Sequence, residues 1–131
     1  MNKPRCFIAV FGELEQGKAA VESGTYGNNP KHPPSTIAGD VLLLYCTASY
    51  PNYHQEAPGL GIVLKSAPDR IDYRWLPFAK PIPRSSISNG LDPQAAERFA
   101  QLHFGHNWLI DISLESFSKI IGDRTLVWGK L

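Results

Sequence analysis

An unbroken apolar run, Val41–Cys46, constrains this chain more than any other feature of its sequence. A strand with one solvated face would alternate apolar and polar residues, and the run is too short for a free-standing helix. It therefore predicts a strand covered on both faces, at the centre of a small sheet. A second run, Pro58–Lys65, follows after a polar, aromatic loop and predicts the other arm of a hairpin with a long tip. Within it, Gly59 and Gly61 indicate a bulge or the close approach of another group.

The rest of the chain predicts strands and helices that surround this hairpin. The further expected elements are a strand over Cys6–Phe11, a helix over Glu13–Ser23, a strand over Arg70–Phe78, a helical turn over Pro83–Ser88, a helix from Asp92 to His103, a strand over Asn107–Ile112, a helix from Ser113 to Ile121 and a tail that could add a strand over Thr125–Trp128. The segment Thr25–Ser35 contains three prolines and predicts an irregular loop, of a length that is often functional. This order favours one α+β domain over residues 1–131, a curled sheet or barrel of five or six mostly antiparallel strands with helices at its rim.

The stretch from residue 65 to residue 84 carries two further signals. Pro77, Pro81 and Pro83 place the end of its strand at an edge of the sheet or outside it. The same stretch has five cations against two aspartates, namely Lys65, Arg70, Arg74, Lys80 and Arg84. They form either a positive strip that could contact phosphates or the ordinary surface charges of a solvated strand pair. The net charge of the chain is only +1, so strong non-specific binding to nucleic acid is not expected from the total.

Composition and the N-terminal sequence indicate a cytoplasmic protein without a membrane span. No stretch is apolar for long enough to cross a bilayer, and the residues before Cys6 lack the apolar block of a signal peptide. Cys6 and Cys46 both fall in expected strands. We expect them to be buried, reduced thiols, since a disulfide is uncommon in that compartment.

Motifs for catalysis, cofactors and metals are not evident in the sequence. The chain has no phosphate-binding glycine loop, dinucleotide fingerprint, nucleophile elbow or zinc-protease motif. His103 and His106 are too few for a zinc site, which needs three or four clustered ligands. The sequence therefore predicts no cofactor, no metal, no catalytic residue and no enzymatic activity.

Aromatic residues stand where a ligand could meet them. Tyr26 lies among glycine and asparagine in the expected loop, and Tyr50 and Tyr53 lie in the hairpin tip. Aromatic side chains in such loops either fold back onto the core or stack on a ligand. For Tyr26 we favour ligand contact, and as a loop side chain beside a pocket it should contribute little to the core. For Trp75 and Trp108, on expected strands, core packing is favoured.

Five motifs, in the same order, resemble the PUA-like superfamily and within it the EVE and YTH domains. The segments that carry the resemblance are Ser23–Asn28 after the first strand and helix, Ala38–Tyr45, Pro58–Leu64, Ile71–Pro83 and the closing helix Ile112–Ile121. The likeness extends over roughly residues 6–122. The Gly-Asp dipeptide before an apolar strand that ends in an aromatic residue is similar to the EVE pattern, which fits better than the YTH pattern.

The resemblance implies a curled β-barrel whose pocket accepts a modified or flipped nucleobase, in DNA more than in RNA. Tyr26 falls where the first cage tryptophan of YTH domains falls, followed by Gly27 and Asn28. Trp75 is the nearest candidate for a second wall. The expected ligand-binding residues are thus Tyr26, Gly27, Asn28, Tyr50, Tyr53 and Trp75. The five cations would then contact the nucleic-acid backbone around the pocket mouth.

Two other functions stay open at this point, and the sequence does not indicate an oligomeric state. The first is an enzyme that resembles ASCH-type barrels and acts on a modified nucleoside, which a Lys–Glu pair beside Tyr26 would favour. The second is a protein-interaction or structural module, which a filled pocket with Tyr26 packed inward would favour.

Overall fold

The computed structural model describes residues 4–11, 23–27, 36–47, 55–100 and 109–122. Within these ranges the chain forms six strands and three helices. The strands are β1 (Cys6–Phe11), β2 (Thr25–Gly27), β3 (Val41–Cys46), β4 (Glu56–Ala67), β5 (Arg70–Pro83) and β6 (Leu109–Ile112). The helices are α1 (Arg84–Gly90), α2 (Pro93–Ala100) and α3 (Leu114–Ile121). Residues 13–22 of the helix expected over Glu13–Ser23, and the whole strand expected over Thr125–Trp128, lie outside the described residues.

The six strands form one curled, mixed sheet in the order β2-β5-β4-β3-β1-β6. The pair β1 and β3 is parallel, and the other four neighbouring pairs are antiparallel. The α+β class and the curled, mostly antiparallel sheet of six strands confirm the fold expected from the sequence. Strand β3 lies between β1 and β4, as its apolar run predicts.

Both faces of β3 are buried, which explains why its sequence does not alternate. Leu43 and Tyr45 point to the helix-side core, a cluster that also contains Ile87 of α1, Phe99 of α2 and Ile120 of α3. The opposite face contributes to a second cluster, here called the inner core: Phe7, Ala9, Phe11, Tyr26, Leu42, Leu44, Cys46, Val63, Ile71 and Tyr73. An apolar side chain is therefore stabilised at every position of the strand centre.

The two glycines of β4 accommodate aromatic rings from β5. A Cβ on Gly59 would lie 2.8 Å from the ring of Trp75, and a Cβ on Gly61 would collide with the ring of Tyr73. A register irregularity also falls between Ala57 and Gly59. Both expectations for this glycine pair, a bulge and a close approach, are thus confirmed.

Strand β5 extends through three prolines, further than the sequence predicts. It continues to Pro83, because β4 pairs with it as far as Glu56 opposite Pro83. On its other side β2 pairs only with Arg70 to Asp72. No described residue pairs with that side from Arg74 onward. Proline is tolerated on such an edge, because no neighbouring strand there needs a hydrogen bond from its backbone nitrogen. Of the two positions expected from Pro77, Pro81 and Pro83, the one outside the sheet is wrong, while an edge position agrees with the pairing of the described residues.

Two of the three described helices begin at polar caps, whereas α1 follows Pro83 and has no side-chain cap. The Asp92 carboxylate accepts a hydrogen bond of 3.0 Å from the amide of Ala95, and the Ser113 hydroxyl accepts one of 3.0 Å from the amide of Ser116. Both contacts satisfy amides that a first helical turn leaves without a partner. Helix α3 ends at Gly122, whose φ of 54° suits glycine.

Candidate functional site

Tyr26, the principal site residue expected from the sequence, lies in a strand and not in a loop. Thr25–Gly27 pairs with Arg70–Asp72, so that Tyr26 stands opposite Ile71. Its side chain is 0% exposed and belongs to the inner core. The prediction of an irregular segment beginning at Thr25 is wrong for these three residues, because pairing with β5 overrides a sequence that has no strand periodicity.

The hydroxyl of Tyr26 donates a hydrogen bond of 2.7 Å to the carbonyl of Val10. Burial raises the pKa of Tyr26, and the hydrogen bond to Val10 only partly offsets this. Burial also raises the pKa of Tyr73, and the neighbouring Tyr26 adds to that rise. The expectation that Tyr26 contributes little to the core is therefore wrong. In this structure both faces of its ring are covered, and a ligand cannot stack on it.

The other expected ligand-binding residues divide into two groups. Gly27 continues β2 opposite Arg70, while Asn28, Tyr50 and Tyr53 lie outside the described residues. Trp75 is half-buried and packs partly against the inner core. Of the aromatic residues expected at the site, Trp75 is the one that the structure describes as half-buried, whereas Tyr26 is fully buried.

Trp75 stands where the free edge of β5 begins. The carbonyl of Gly24 accepts a hydrogen bond of 2.8 Å from the amide of Tyr73, and no described residue pairs with β5 on this side beyond that point. Beneath Trp75 lies the bare backbone of Gly59, which lets the ring lie close to β4. Within the described part of the chain, the Trp75 side chain thus lies where β5 has no pairing partner on its outer side.

The structure brings together three of the five expected cations. Lys65 stands opposite Asp72 in the β4–β5 ladder, and residues directly opposite share one face of a sheet. Arg70 and Arg74 lie on the same face of β5 as Asp72, since they are two positions away on either side. All three cations are exposed, and Arg70 forms an ion pair of 3.0 Å with Asp72. Together these three cations form what we call the basic face.

Lys80 and Arg84 lie further along the chain and do not belong to the basic face. Lys80 is exposed near the end of β5, and Arg84 begins α1. A cavity of about 630 Å³ opens there, lined by Gln55, Glu56, Pro83, Arg84, Ser85 and Ser88. The sequence did not predict this cavity. Its walls are distant in the chain and meet because Glu56 stands opposite Pro83 in the sheet.

The two cysteines are buried and free, as expected from the sequence. Cys6 pairs with Val41 and Cys46 with Phe11, so the thiols lie at opposite ends of the β1–β3 pair, and they face different cores. Burial raises the pKa of both thiols, to which nearby carboxylates add. Neither thiol is thus prepared to act as a nucleophile.

The described residues contain no group of three or more histidine, cysteine, aspartate or glutamate side chains that could hold a metal. Within the same part of the chain, the one ion pair between a lysine and a glutamate joins Lys119 and Glu115 on the exposed face of α3, away from Tyr26. None of the helices described there is long and apolar enough to cross a membrane.

Comparison with known proteins gives no match, either to a protein-family model or to a curated protein.

Proposed function

We propose that this chain is a non-enzymatic nucleic-acid-binding domain that holds one modified base, in DNA more than in RNA, against Trp75. One observation supports this most directly: Trp75 is half-buried on an edge of β5 that no described residue pairs with, and its indole packs over Gly59. An accessible aromatic ring on a fixed strand is the platform on which proteins stack unpaired bases. The curled sheet and the resemblance to EVE domains agree with this proposal.

The basic face supplies the second part of the proposal. The side chains of neighbouring strand residues point to opposite faces of the sheet. The Trp75 side chain packs against the inner core, so the exposed side chain of Arg74 points to the other face. A nucleic-acid strand that crosses the edge of β5 would place phosphates near Arg74, Arg70 and Lys65. One unstacked base could then reach the indole. Lys80 lies six residues beyond Arg74 on β5, roughly 20 Å away at the usual strand rise, and would contact a phosphate further along the same nucleic-acid strand.

The test is binding of the purified chain to single-stranded DNA and RNA oligonucleotides that carry either modified or unmodified bases, measured by fluorescence anisotropy. We expect tighter binding of at least one modified oligonucleotide. Trp75→Ala should weaken it by about 1–3 kcal/mol, and Trp75→Phe should weaken it less, because stacking needs the ring face. The proposal fails if the folded wild-type chain binds none of the oligonucleotides, or if Trp75→Ala binds as tightly as wild type.

A charge-matched pair of variants tests the basic face. Arg74→Gln should weaken binding and reduce its dependence on salt by about one counterion, since one phosphate contact is lost. Lys119→Gln, on the exposed face of α3, removes the same charge at a distance and serves as the control. Equal effects of the two variants would contradict contact at the basic face and indicate only a response to net charge.

A protein-interaction module is the second candidate, because Tyr26 is packed inward and two large apolar side chains are exposed side by side. Ile37 is 57% exposed and Leu64 is 61% exposed. The two segments run next to each other, because residues that flank Ile37 and Leu64 are hydrogen-bonded. Thr36 bonds to Ser66, and Gly39 bonds to Val63. This candidate predicts association that Leu64→Gln removes and Trp75→Ala leaves unchanged, in sedimentation measurements at increasing protein concentration.

A further inference from the structure

A carboxylate, that of Asp72, lies in the middle of the basic face. Lys65 stands opposite it on β4, and Thr25 stands opposite it on β2. Arg70 and Arg74 lie on the same face of β5, each two residues away. Side chains directly opposite each other are about 5 Å apart at Cβ, and those two residues apart on one strand are about 7 Å apart. Asp72 is therefore a close neighbour of all three cations.

The carboxylate of Asp72 occupies one edge of the Arg70 guanidinium. The Nε atom of Arg70 lies 3.0 Å from Oδ1 of Asp72, and its Nη2 donates a hydrogen bond of 3.4 Å to Oδ2. An arginine offers the same pair of donors to a phosphate as to a carboxylate. A phosphate can therefore bind this edge of Arg70 only by displacing Asp72. Within the described part of the chain, Lys65 and Arg74 are in no ion pair, so a ligand meets their charges directly.

The ion pair between Arg70 and Asp72 contributes little to folding. Its two side chains are 59% and 31% exposed, and water and salt screen pairs of this kind. Its effect on a nearby phosphate is twofold, because the carboxylate repels the anion and also holds a guanidinium that would otherwise bind it. Asp72 is thus placed to influence the binding of an anion more than the stability of the sheet.

We propose that Asp72 is a specificity-determining residue, which competes with the phosphates of the bound nucleic acid for Arg70. Phosphate contacts provide affinity without reading the base, whereas contacts to the base provide selectivity. By weakening the phosphate contacts, Asp72 keeps unmodified nucleic acid weakly bound and makes binding depend on the base at Trp75. Arg74 and Lys65 hold the backbone, and Arg70 joins them only when Asp72 is displaced. This inference rests on the proposed function, because it needs a nucleic-acid strand at the basic face.

The test compares Asp72→Asn with wild type in anisotropy titrations of modified and unmodified single-stranded oligonucleotides at several salt concentrations. Asp72→Asn should tighten the binding of both kinds about three- to tenfold at about 0.1 M salt, since Arg70 becomes free to bind a phosphate. The dependence on salt should steepen by about one counterion. The melting temperature should stay close to that of wild type, because the ion pair is exposed.

Glu115→Gln is the matched control. It also removes one carboxylate from an exposed ion pair and leaves a cation unpaired, in this case Lys119 on α3. Helix α3 is not part of the basic face, so this variant should bind oligonucleotides as wild type does. An equal gain in the two variants would overturn the proposal and indicate a response to net charge alone.

A double-mutant cycle shows whether Asp72 acts through Arg70. Arg70→Gln should weaken binding only slightly in the wild-type background, where Asp72 holds the guanidinium. In the Asp72→Asn background the same change should remove most of the gained affinity, because the guanidinium then contacts a phosphate. Equal losses in the two backgrounds would contradict competition for Arg70.

The failure of this inference differs from the failure of the proposed function in what the titrations show. If wild type binds oligonucleotides and folded Asp72→Asn binds them no more tightly, the role of Asp72 is overturned while base binding at Trp75 is not. If Asp72→Asn binds them and wild type does not, the proposed function fails while the role of Asp72 stands. Binding by neither chain overturns both. Should Asp72→Asn not fold, Asp72→Ser removes the same carboxylate and takes its place, with the same expected results.

Discussion

The hydroxyl of Tyr26 and the carbonyl of Val10 join two strands, β2 and β1, that are separated by three others in the sheet. In a flat sheet, four strand spacings of about 4.8 Å would place them roughly 19 Å apart. A hydrogen bond of 2.7 Å between them is therefore possible only because the sheet curls. Tyr26 is the side chain that fastens the edge strand across the inner core to β1.

Two variants of Tyr26 should lower the free energy of unfolding by different amounts. Tyr26→Phe keeps the ring but leaves the Val10 carbonyl without this donor, which should cost about 1 kcal/mol. Tyr26→Ala also removes a fully buried ring and should cost about 3–5 kcal/mol. Urea denaturation of both variants measures these differences. A loss below 1 kcal/mol for Tyr26→Ala would contradict the structural position of Tyr26 and would restore the possibility that it serves a ligand.

The two glycines of β4 should be intolerant of a side chain. Alanine at Gly59 would place its Cβ 2.6 Å from the Leu76 carbonyl oxygen and 2.7 Å from the Cα of Pro77, which are backbone atoms that cannot turn away. We expect Gly59→Ala to cost about 3 kcal/mol, the upper part of the range for overpacking. The three atoms nearest to a Cβ on Gly61 belong to the ring of Tyr73, a side chain and not backbone, so Gly61→Ala should cost less. Thermal denaturation of the two variants checks this order.

Asp40 should be the carboxylate on which the turn before β3 depends. It is 3% exposed, and it accepts hydrogen bonds from the amide and guanidinium of Arg5 and from the amide of Ile37. Asp40→Ala should cost about 2–3 kcal/mol, because two backbone amides lose their acceptor. The Arg5 side chain is 43% exposed and regains water, so the larger penalty of a stranded buried charge does not apply.

Asp40→Asn is the informative companion of that variant, since it keeps one acceptor oxygen and the shape of the side chain. Chemical denaturation should place its stability between those of wild type and Asp40→Ala. Equal stability of wild type and Asp40→Ala would show that the turn is held by its backbone alone.

Stability should fall as pH rises above about 9. Burial raises the pKa of Cys6 and Cys46 above the ordinary thiol value of 9.0, and that of Tyr26, Tyr45 and Tyr73 above the ordinary phenol value of 10.0. The unfolded chain loses these protons first, so alkali favours unfolding, beginning with the thiols and then the phenols. Below pH 8 these groups are protonated in both states and should contribute no slope.

Melting temperatures between pH 7 and pH 11 measure this dependence. In Cys46→Ala the melting temperature should fall less steeply over the lower part of this range, where the thiols of the unfolded chain lose their protons. The same burial predicts that neither thiol reacts with iodoacetamide at pH 8 until the protein unfolds, since the thiolate is the reactive form. Rapid alkylation of the native protein would contradict the buried position of both cysteines.

The sequence predicted those parts of the fold that local pattern determines. Strand β3 could be recognised because burial on both faces leaves a run with no polar residue, and Asp92 marked the start of α2 because its carboxylate caps the first turn. Strand β2 could not be recognised. Three residues are too few to show a period, and what makes them a strand is their pairing with Arg70–Asp72, far along the chain.

The candidate site was harder to predict for the same reason. The sequence around an aromatic residue among glycines is the same whether its ring binds a ligand or packs in the core. For Tyr26, the hydrogen bond to the Val10 carbonyl, which no sequence pattern predicts, shows that the ring packs in the core. Trp75 was expected mainly to pack in the core, whereas the structure shows it half-buried on an edge of β5 that no described residue pairs with, and it is the platform that we propose. The cavity at Arg84 left no sequence signal, because its two walls meet only through the pairing of Glu56 with Pro83.

The position of β1 in the sheet has a consequence for the order in which the chain can acquire its structure. Strand β1 is made first by the ribosome, but its partners are β3 in parallel and β6 near the other end of the described chain. Pairings between such distant segments form slowly, since the intervening chain must first be ordered. The hairpin of β4 and β5 has no such delay, because its two strands are joined by a tight turn at Pro68 and Asp69. During synthesis, the apolar Cys6–Phe11 segment therefore stays without its second partner until β6 has emerged, and the nascent protein is most exposed to aggregation in that interval.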